Sequence, residues 1–319
     1  MVINKKSVIF TLISTILLSI ILLTFLIVSN NQSSIRTQTA NSEVQTLNAF
    51  IKAANEEYIP KVIELSGIQA TRSIVKYIEN TGAYLNPETN PDIIYDAIMK
   101  DGYFLETKQD LMFEEGYNYT LRYLFDEVGY LANLTGIDFN YANINSIDVY
   151  QEEPFYLTIS LNVYYNISSK DQDTFFYYPN QDVTAKIPLY NFRDPARIIE
   201  NENLGLAARN VTIFEAKHQE WNESALISDI ETITYVASTT APSFLQRLTG
   251  QLSSPSPYGI ASFINTRYYA NPNHYTTTDY YYFTENSEDN QQVYLDDYPD
   301  FYLTGEYLIM YGLLFPIQG

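Results

Sequence analysis

One stretch near the start of the chain limits what it can fold into more than any other. Residues 7–28 (SVIFTLISTILLSIILLTFLIV) carry no charge over about 22 positions. At a rise of about 1.5 Å per residue, a helix of this length spans roughly 33 Å, which is enough to cross the hydrocarbon core of a bilayer. The sequence therefore predicts a transmembrane helix over residues 7–28, with the lipid bilayer as its direct partner.

The charges that flank this apolar run predict its orientation. Lys5 and Lys6 come just before it, whereas the first basic residue after it is Arg36. Because basic residues stay on the cytoplasmic side, residues 1–6 are predicted to be cytoplasmic and residues 29–319 extracellular, in a single-pass protein of the cell membrane. A cleaved signal peptide is the alternative. An uncleaved signal anchor is favoured, since the run is long and the SNNQSS that follows lacks a small-x-small cleavage pattern.

Composition excludes several classes of function. The formal net charge is −20, and without Lys5 and Lys6 the rest of the chain carries 16 basic against 38 acidic residues. Such a surface repels phosphate backbones, so nucleic acid is not predicted as a partner. The chain has no cysteine, which excludes disulfides, thiol catalysis and cysteine-based metal sites. Its 46% hydrophobic content is enough to build a core, and its 30 tyrosines suit strands and contact surfaces.

Beyond the apolar run, residues 29–82 show helical periodicity and end at Asn80-Thr81-Gly82, a predicted C-terminal cap. They are predicted to form either a helical stalk or membrane-proximal helices, with Pro60 as a kink or as the first turn of a second helix. Asn90-Pro91 predicts the start of a short helix that ends at Gly102. Apolar residues from Leu121 to Leu131 predict another helix, which ends near Gly136.

Strands follow the helices. Residues 146–150, 155–167 and 174–189 are predicted strands, and Leu157, Ile159, Leu161 and Val163 alternate with polar residues as in a half-buried antiparallel strand. SSKDQD is a turn between the second and third strands. The predicted fold class is α+β: a transmembrane helix and helical stalk, followed by helices packed on an antiparallel β-sheet, with residues 83–195 as the α+β domain.

Residues 196–319 are predicted to be a second, mixed α/β part of the extracellular domain. A helix is expected over residues 222–235, a loop or hinge at residues 253–257 (SSPSP), and strands at residues 280–283 and 301–303. The apolar run at residues 303–316 is too short to span a membrane and is interpreted as a buried strand or a short helix.

No enzyme is predicted, and no cofactor. His218 and His274 are the only histidines, lie in no zinc-protease motif and are interpreted as surface loop residues. Neither a nucleophile elbow nor a phosphate-binding or dinucleotide-binding glycine motif occurs. No catalytic residue can therefore be named.

Oxygen ligands and sequons supply the remaining candidates. No lysine or arginine follows Arg267, against eight acids. Calcium takes oxygen ligands from acidic loops, although the EF-hand spacing is absent and solvated acid is the favoured interpretation. The calcium candidates are Asp171, Asp173, Glu288, Asp289, Asp296 and Asp297. Six N-x-S/T sequons are candidates for glycosylation: Asn31, Asn118, Asn133, Asn166, Asn210 and Asn222.

Several stretches in order, among them KKSVIFTLIS, IELSGIQATRSIVKYIENTGAYL, SIDVYQEEPFYLTISLNVYYNI, SPYGIASFIN and GEYLIMYGLLF, resemble a family of archaeal single-span surface proteins described as pilin-like. The resemblance implies a membrane-anchored extracellular domain and supplies no catalytic residues. Type IV pilins resemble this chain in their basic start, apolar helix and antiparallel sheet. Their leader is cut after Gly or Ala, whereas Ser7 follows Lys6 here, so processing is in doubt.

The leading functional prediction is a non-catalytic surface or envelope-assembly component, with other surface or pilus-like assembly proteins as partners. The alternative is an anchored binding or sensory ectodomain that recognises a sugar, a peptide or a cation. Six residues before the membrane leave no room for a cytoplasmic signalling domain, which disfavours a receptor acting alone. An anchored hydrolase is the third hypothesis.

Overall fold

A computed structural model describes Ser19 and residues 37–169, 175–203, 211–267, 276–284 and 290–313. Apart from Ser19, the apolar run at residues 7–28 lies outside the described residues, so the transmembrane helix stays a prediction. Within the described ranges, no helix combines the length and hydrophobicity needed to cross a membrane.

The described residues form a mixed α+β structure in which helices pack on antiparallel sheets, as predicted for the fold class. The helices are α1 (Thr37–Ala53), α2 (Ile59–Thr81), α3 (Pro91–Asp101), α4 (Leu121–Leu134), α5 (Pro195–Asn203), α6 (Glu223–Thr232), α7 (Phe244–Leu248), α8 (Asp279–Phe283) and α9 (Gly305–Met310). A π-helical turn (Ala54–Tyr58) and a 3-10 helix (Asp110–Gly116) complete the helical segments. The strands are β1 (Tyr103–Phe104), β2 (Thr107–Lys108), β3 (Ile137–Glu153), β4 (Tyr156–Ser169), β5 (Phe175–Pro188), β6 (Tyr235–Ala237), β7 (Ile260–Ser262), β8 (Gln291–Leu295) and β9 (Tyr298–Leu303).

The chain divides into two compact units. The first unit comprises Met1–Gly67, Asp96–Asp148 and Ser160–Ala185; the second comprises Ile68–Tyr95, Val149–Ile159 and Lys186–Gly319. The linear boundaries predicted at residues 82 and 195 remain predictions, and each unit is described by itself below.

The helical segment that begins at Thr37 runs without a break to Thr81. Pro60 stands in the first turn of α2, which is one of the two arrangements that the sequence left open. The π-helical turn comes directly before it, because proline has no N–H to donate to the preceding turn. Buried side chains recur from Leu47 to Ile78, so this stretch is packed rather than exposed as an isolated stalk.

The predicted helix caps are confirmed. Gly82 follows α2 with φ +61°, and its N–H donates to the Ile78 carbonyl at 2.9 Å. The Asn90 side chain accepts from the N–H of Asp92 at 3.0 Å, at the start of α3. Gly136 ends the turn after α4 with φ +82°.

Strands β3, β4 and β5 form one sheet in sequence order. Two residues separate β3 from β4, which permits only an antiparallel hairpin because a parallel pair needs a long crossover. The predicted alternation in β4 is confirmed, since the side chains of Leu157, Ile159, Leu161 and Val163 are fully buried. The turn at residues 170–174 lies outside the described residues. β3 begins at Ile137, earlier than the predicted Ser146, because asparagines at unburied positions weaken the strand pattern there.

Aromatic side chains form much of the core of the first unit. The rings of Phe50 and Phe139 lie with centroids 6.4 Å apart, and those of Phe139 and Tyr165 are stacked at 5.6 Å. The Tyr165 hydroxyl donates to Gln181 Oε1 at 2.9 Å and also bonds to Asn55 Oδ1. Helix α1 and its π-helical turn are therefore joined to the sheet by apolar contacts and by a satisfied tyrosine hydroxyl.

The second unit has a core to which α6, α8, α9 and the pairs β6–β7 and β8–β9 contribute. The prediction of a strand at residues 280–283 was wrong: Asp279–Phe283 is a helix, and the Tyr282 N–H donates to the Thr278 carbonyl at 2.9 Å. Its aromatic residues favour strands locally, but burial of Asp279, Tyr280 and Tyr282 stabilises the helical turn.

Three further expectations for this unit can be compared with the structure. The helix predicted over residues 222–235 ends at Thr232, because Ile233 adopts φ +52° and Tyr235 begins β6. The strand predicted at residues 301–303 is confirmed within β9. In the apolar run at residues 303–316, Leu303 ends β9 and Gly305–Met310 form the short helix α9. Residues 314–316 lie outside the described part of the chain.

Candidate functional site

A cleft of about 390 Å³ opens on the first unit between α4 and the start of β3. Its lining is contributed by residues 125–141, and the lining residues are Phe125, Asp126, Gly129, Tyr130, Asn133, Asp138, Phe139, Asn140 and Tyr141. This volume falls within the range of about 300–1,000 Å³ that is typical of small-molecule sites. The cleft is therefore the candidate functional site of this unit.

Two glycines let the helix and the strand meet at this place. A Cβ on Gly129 would lie 3.0 Å from the Phe139 carbonyl oxygen, so only glycine lets α4 approach β3 this closely without a shift of the strand. Gly136 takes a left-handed conformation in the connecting turn, which Thr135 supports by donating from Oγ1 to the Ala132 carbonyl at 2.7 Å. Local geometry thus places the lining residues of α4 opposite those of β3.

Aromatic rings form the apolar side of the cleft. The rings of Phe125 and Phe139 are stacked with centroids 6.4 Å apart, and the ring of Tyr141 lies 5.2 Å from that of Phe125. Tyr130 differs from these three because it is 62% exposed. Its ring is therefore available to a ligand, whereas Phe125 and Phe139 are already buried.

Two carboxylates and two amides form the polar side. Asn133 Nδ2 donates to Asp138 Oδ1 at 3.3 Å. Burial raises the pKa of Tyr141, the nearby negative charge of Asp126 raises it further, and Arg122 lowers it. Tyr141 consequently stays a neutral donor, and the neutral amide of Asn133 orients Asp138.

Two of the six calcium candidates lie in the part of the chain that the structure describes. Asp171, Asp173, Glu288 and Asp289 lie outside the described residues. Asp296 and Asp297 are exposed in the turn between β8 and β9, where Asp297 Oδ2 pairs with an Arg267 guanidinium nitrogen at 2.9 Å. Among the residues that the structure describes, no group of three His, Cys, Asp or Glu side chains could hold a metal ion. A calcium site at these acids stays a prediction.

The sequons differ in accessibility. Asn31 and Asn210 lie outside the described residues, Asn118 and Asn166 are half-buried, and Asn133 and Asn222 are exposed. Asn222 is also the N-cap of α6, where its Oδ1 accepts from the Ala225 N–H at 3.0 Å. Asn133 combines exposure with a position in the lining of the cleft.

His218 is not the free surface residue that the sequence suggested. It lies in a loop, but its side chain is only 18% exposed, and Nε2 lies 2.8 Å from Oδ1 of the buried Asp229. The Tyr311 hydroxyl donates to Asp229 Oδ2 at 2.6 Å, and Trp221 packs edge-on against both His218 and Tyr311. Asp229 satisfies these donors within the second unit. His274 lies outside the described residues.

A second polar network, which sequence reasoning missed, is buried in the second unit. Arg247 donates to Asp194 Oδ2 at 2.8 Å and to Asp279 Oδ2 at 3.0 Å, and all three side chains are fully buried. Arg197 donates to Ser262 Oγ at 2.7 Å and to the Phe263 carbonyl at 3.0 Å.

The four charges of this network sum to zero. Its interior position indicates a structural role, because a substrate could not reach it without local unfolding. The local sequence around Arg247, PSFLQRLTG, mixes polar and apolar residues and gives no signal of this burial.

Comparison with known proteins does not assign the chain to a family. The geometry of the cleft and of the two buried networks is therefore what a functional proposal can be compared with. No protein-family model matches the chain, and no curated protein or solved structure matches it either.

Proposed function

We propose that this chain is a single-pass membrane protein whose residues from 29 onward lie outside the cytoplasm, where it acts as a non-catalytic, pilin-like surface or envelope-assembly component. The uncharged run at residues 7–28, preceded by Lys5 and Lys6, carries this proposal. The helical segment from Thr37 to Thr81 supports it, since in the first unit this segment packs on an antiparallel sheet.

The buried networks support a non-catalytic role. The side chains best suited to acid–base or ionic chemistry in the second unit, Asp194, Arg247, Asp279 and Asp229, are at most 1% exposed and bonded to one another or to neighbouring side chains. Groups held in this way are paired inside the fold and do not meet a substrate.

Protease shaving of intact cells tests the location. If the chain is anchored as proposed, an added protease releases peptides from residues 29–319 while the membrane stays intact, and residues 1–28 remain with the membrane fraction. Recovery of an untouched chain in the detergent-free soluble fraction of lysed cells would contradict the proposal. A cytoplasmic protein followed in the same samples controls for leakage.

The N-terminus of the native protein tests the assembly role. A filament subunit would begin at Ser7 after removal of Met1–Lys6, which frees the apolar helix to pack against its copies. Mass spectrometry that finds a Met1 or Val2 start would argue strongly against polymerisation of the pilin type. The anchored protein would then act singly or through contacts outside the membrane.

A second candidate function, an anchored binding ectodomain, is favoured by the cleft of the first unit. The cleft combines an exposed aromatic ring, Tyr130, with the fixed polar groups of Asp126, Asn133 and Asp138. Concave sites with a few convergent polar groups are the usual form of small-molecule sites. The two functions are compatible, since a surface component can also carry a binding site.

A further inference from the structure

The charge of the cleft restricts its ligand. Its lining contains the carboxyl groups of Asp126 and Asp138 and no lysine or arginine. A phosphate, sulfate or carboxylate ligand would lie against this negative charge. Arg122, the nearby cation that lowers the pKa of Tyr141, is 61% exposed, pairs with Asp101 and does not line the cleft, so an anionic ligand is disfavoured. The ligand should be neutral or cationic.

A bare metal ion does not match the lining. Calcium takes about six to eight oxygen ligands, whereas in the described part of the chain no three carboxylate or histidine side chains converge. Asp138 already accepts a hydrogen bond from Asn133. The aromatic half of the lining would also contribute nothing to a hard cation.

A saccharide matches both halves of the lining. A pyranose has hydroxyl groups around its edge and an apolar face of C–H groups. The carboxylates and the amides of Asn133 and Asn140 supply acceptors and donors for hydroxyls, and charge-assisted bonds of this kind are the stronger ones. The exposed ring of Tyr130 supplies a flat surface for the apolar face of the sugar.

We propose that the cleft formed by residues 125–141 is a binding site for a neutral saccharide. This inference rests on the second candidate function, the anchored binding ectodomain, and names its ligand class and its site. Tyr130 stacks on the sugar, and Asp138 accepts hydrogen bonds from its hydroxyls.

The saccharide can come from two sources, and the lining residues would contact a sugar from either source in the same way. Asn133 lines the cleft, is exposed, and begins the sequon Asn133-Leu134-Thr135. A glycan attached to its amide would start within the cleft and could fold back onto Tyr130. A sugar of a neighbouring molecule would enter the same cleft from solution.

The first arm of the test measures binding of free sugars to the unmodified protein. Full-length chain, made in a host without N-glycosylation and kept in a detergent that contains no sugar, is mixed separately with glucose, mannose, galactose and N-acetylglucosamine. Saturation-transfer NMR should show binding of at least one of them. Tyr130→Ala and Asp138→Ala should each weaken that binding at least about tenfold, the loss expected for a charge-assisted bond or a stacked ring.

Tyr123→Ala is the matched control. Tyr123 lies on the same helix and is 42% exposed, but it does not line the cleft, so its removal should leave sugar binding unchanged. Circular dichroism checks that each variant keeps the fold. The proposal is overturned if none of the four sugars binds, if Tyr123→Ala weakens binding as much as Tyr130→Ala, or if added calcium chloride binds at Asp138 while the sugars do not.

The second arm distinguishes the two sources. The protein is isolated from its own cells, and the peptide that contains Asn133 is analysed by mass spectrometry. A glycan on Asn133, together with weaker binding of free sugar than in the unmodified protein, assigns the site to the chain's own glycan. An unmodified Asn133 assigns it to an external saccharide. The first arm does not depend on where the chain resides, so a failure of the membrane location in the shaving experiment would be seen separately from a failure of sugar binding.

Discussion

Replacement of Arg247 by methionine should destabilise the second unit by about 3–5 kcal/mol, the cost of breaking a buried ion pair from one side. Methionine keeps most of the apolar stem of the arginine but removes its guanidinium. Asp194 and Asp279 then stay buried without the cation that lies 2.8 and 3.0 Å from them. The Ile260 carbonyl also loses its donor, which Arg247 supplies at 2.5 Å.

The loss of unfolding free energy in Arg247→Met should become smaller at acidic pH. Burial alone would raise the pKa of Asp279, but Arg247, Arg197 and the hydrogen bond from Ser262 together hold it below its usual value. A carboxyl group with a lowered pKa stabilises the folded state above the unfolded pKa of about 3.9, and this contribution disappears as the pH falls through the folded pKa. The difference in unfolding free energy between wild type and Arg247→Met should therefore be full at neutral pH and should shrink below about pH 4.

Tryptophan fluorescence provides the assay, because Trp221 is the one tryptophan of the chain and lies in the second unit with Arg247. Its ring packs 5.3 Å from that of Tyr311, so unfolding of this unit should change its emission during a urea titration. Lys217→Met is the control, because Lys217 also lies in the second unit. Lys217 pairs with Glu215 at 3.1 Å while 73% exposed, and a pair of this kind contributes about 0–1 kcal/mol.

Equal urea midpoints for Arg247→Met and wild type at neutral pH would refute the reasoning. A destabilisation of Arg247→Met that grew on acidification would refute it as well, since the protonated carboxyl groups should need the guanidinium less. A loss confined to Lys217→Met would show that exposed rather than buried charge governs stability in this unit.

Three further predictions concern turns and tyrosines. Gly102 has φ +75°, and in Gly102→Ala the new Cβ lies 2.5 Å from the ring of Phe113, so this variant should have a lower melting temperature than Gly116→Ala. Gly116 has φ +83° and nothing within 4 Å of its Cβ position, so equal losses would mean that only the backbone conformation matters. Replacing Leu105-Glu106, both at positive φ in a two-residue hairpin, with Asn-Gly should stabilise the chain by about 1 kcal/mol in thermal melting, and a lower melting temperature would contradict this. Burial raises the pKa of Tyr95, so the folded state should lose stability above about pH 10, where this tyrosine ionises in the unfolded chain but not in the folded one. Tyr95→Phe should reduce this alkaline loss of stability, and an unchanged pH profile of stability would contradict the prediction.

The helices that end at Thr81, Asp101 and Leu134 were predictable because the signals for their ends are local. The Asn90 cap, the glycines at positions 82 and 136, and the alternation of Leu157 to Val163 each express a geometry that a few neighbouring residues determine. β3 was predicted too short for the same reason. Its asparagines disfavour a strand locally, and only the pairing with β4 compensates for them.

The cleft could not be predicted in the same way. Asp126 and Asp138 are ordinary acids in the sequence, and they share a site because Gly129 lets α4 lie close to β3. The stretch of residues 280–283 shows the same limit for secondary structure, since its aromatic composition indicates a strand while tertiary packing makes it helical.

By itself, the sequence determined the α+β class, the helix ends near residues 82, 90, 102 and 136, the antiparallel meander and the apolar, uncharged character of residues 7–28. These depend on hydrophobic periodicity and turn chemistry, which act over a few residues. Only the tertiary structure decided that Arg247 neutralises Asp194 and Asp279, that His218 contacts Asp229, and that Tyr130 faces solvent beside two carboxylates. Such contacts join residues far apart in the chain, and the free energy of a charge depends on the burial and the partners that folding alone creates.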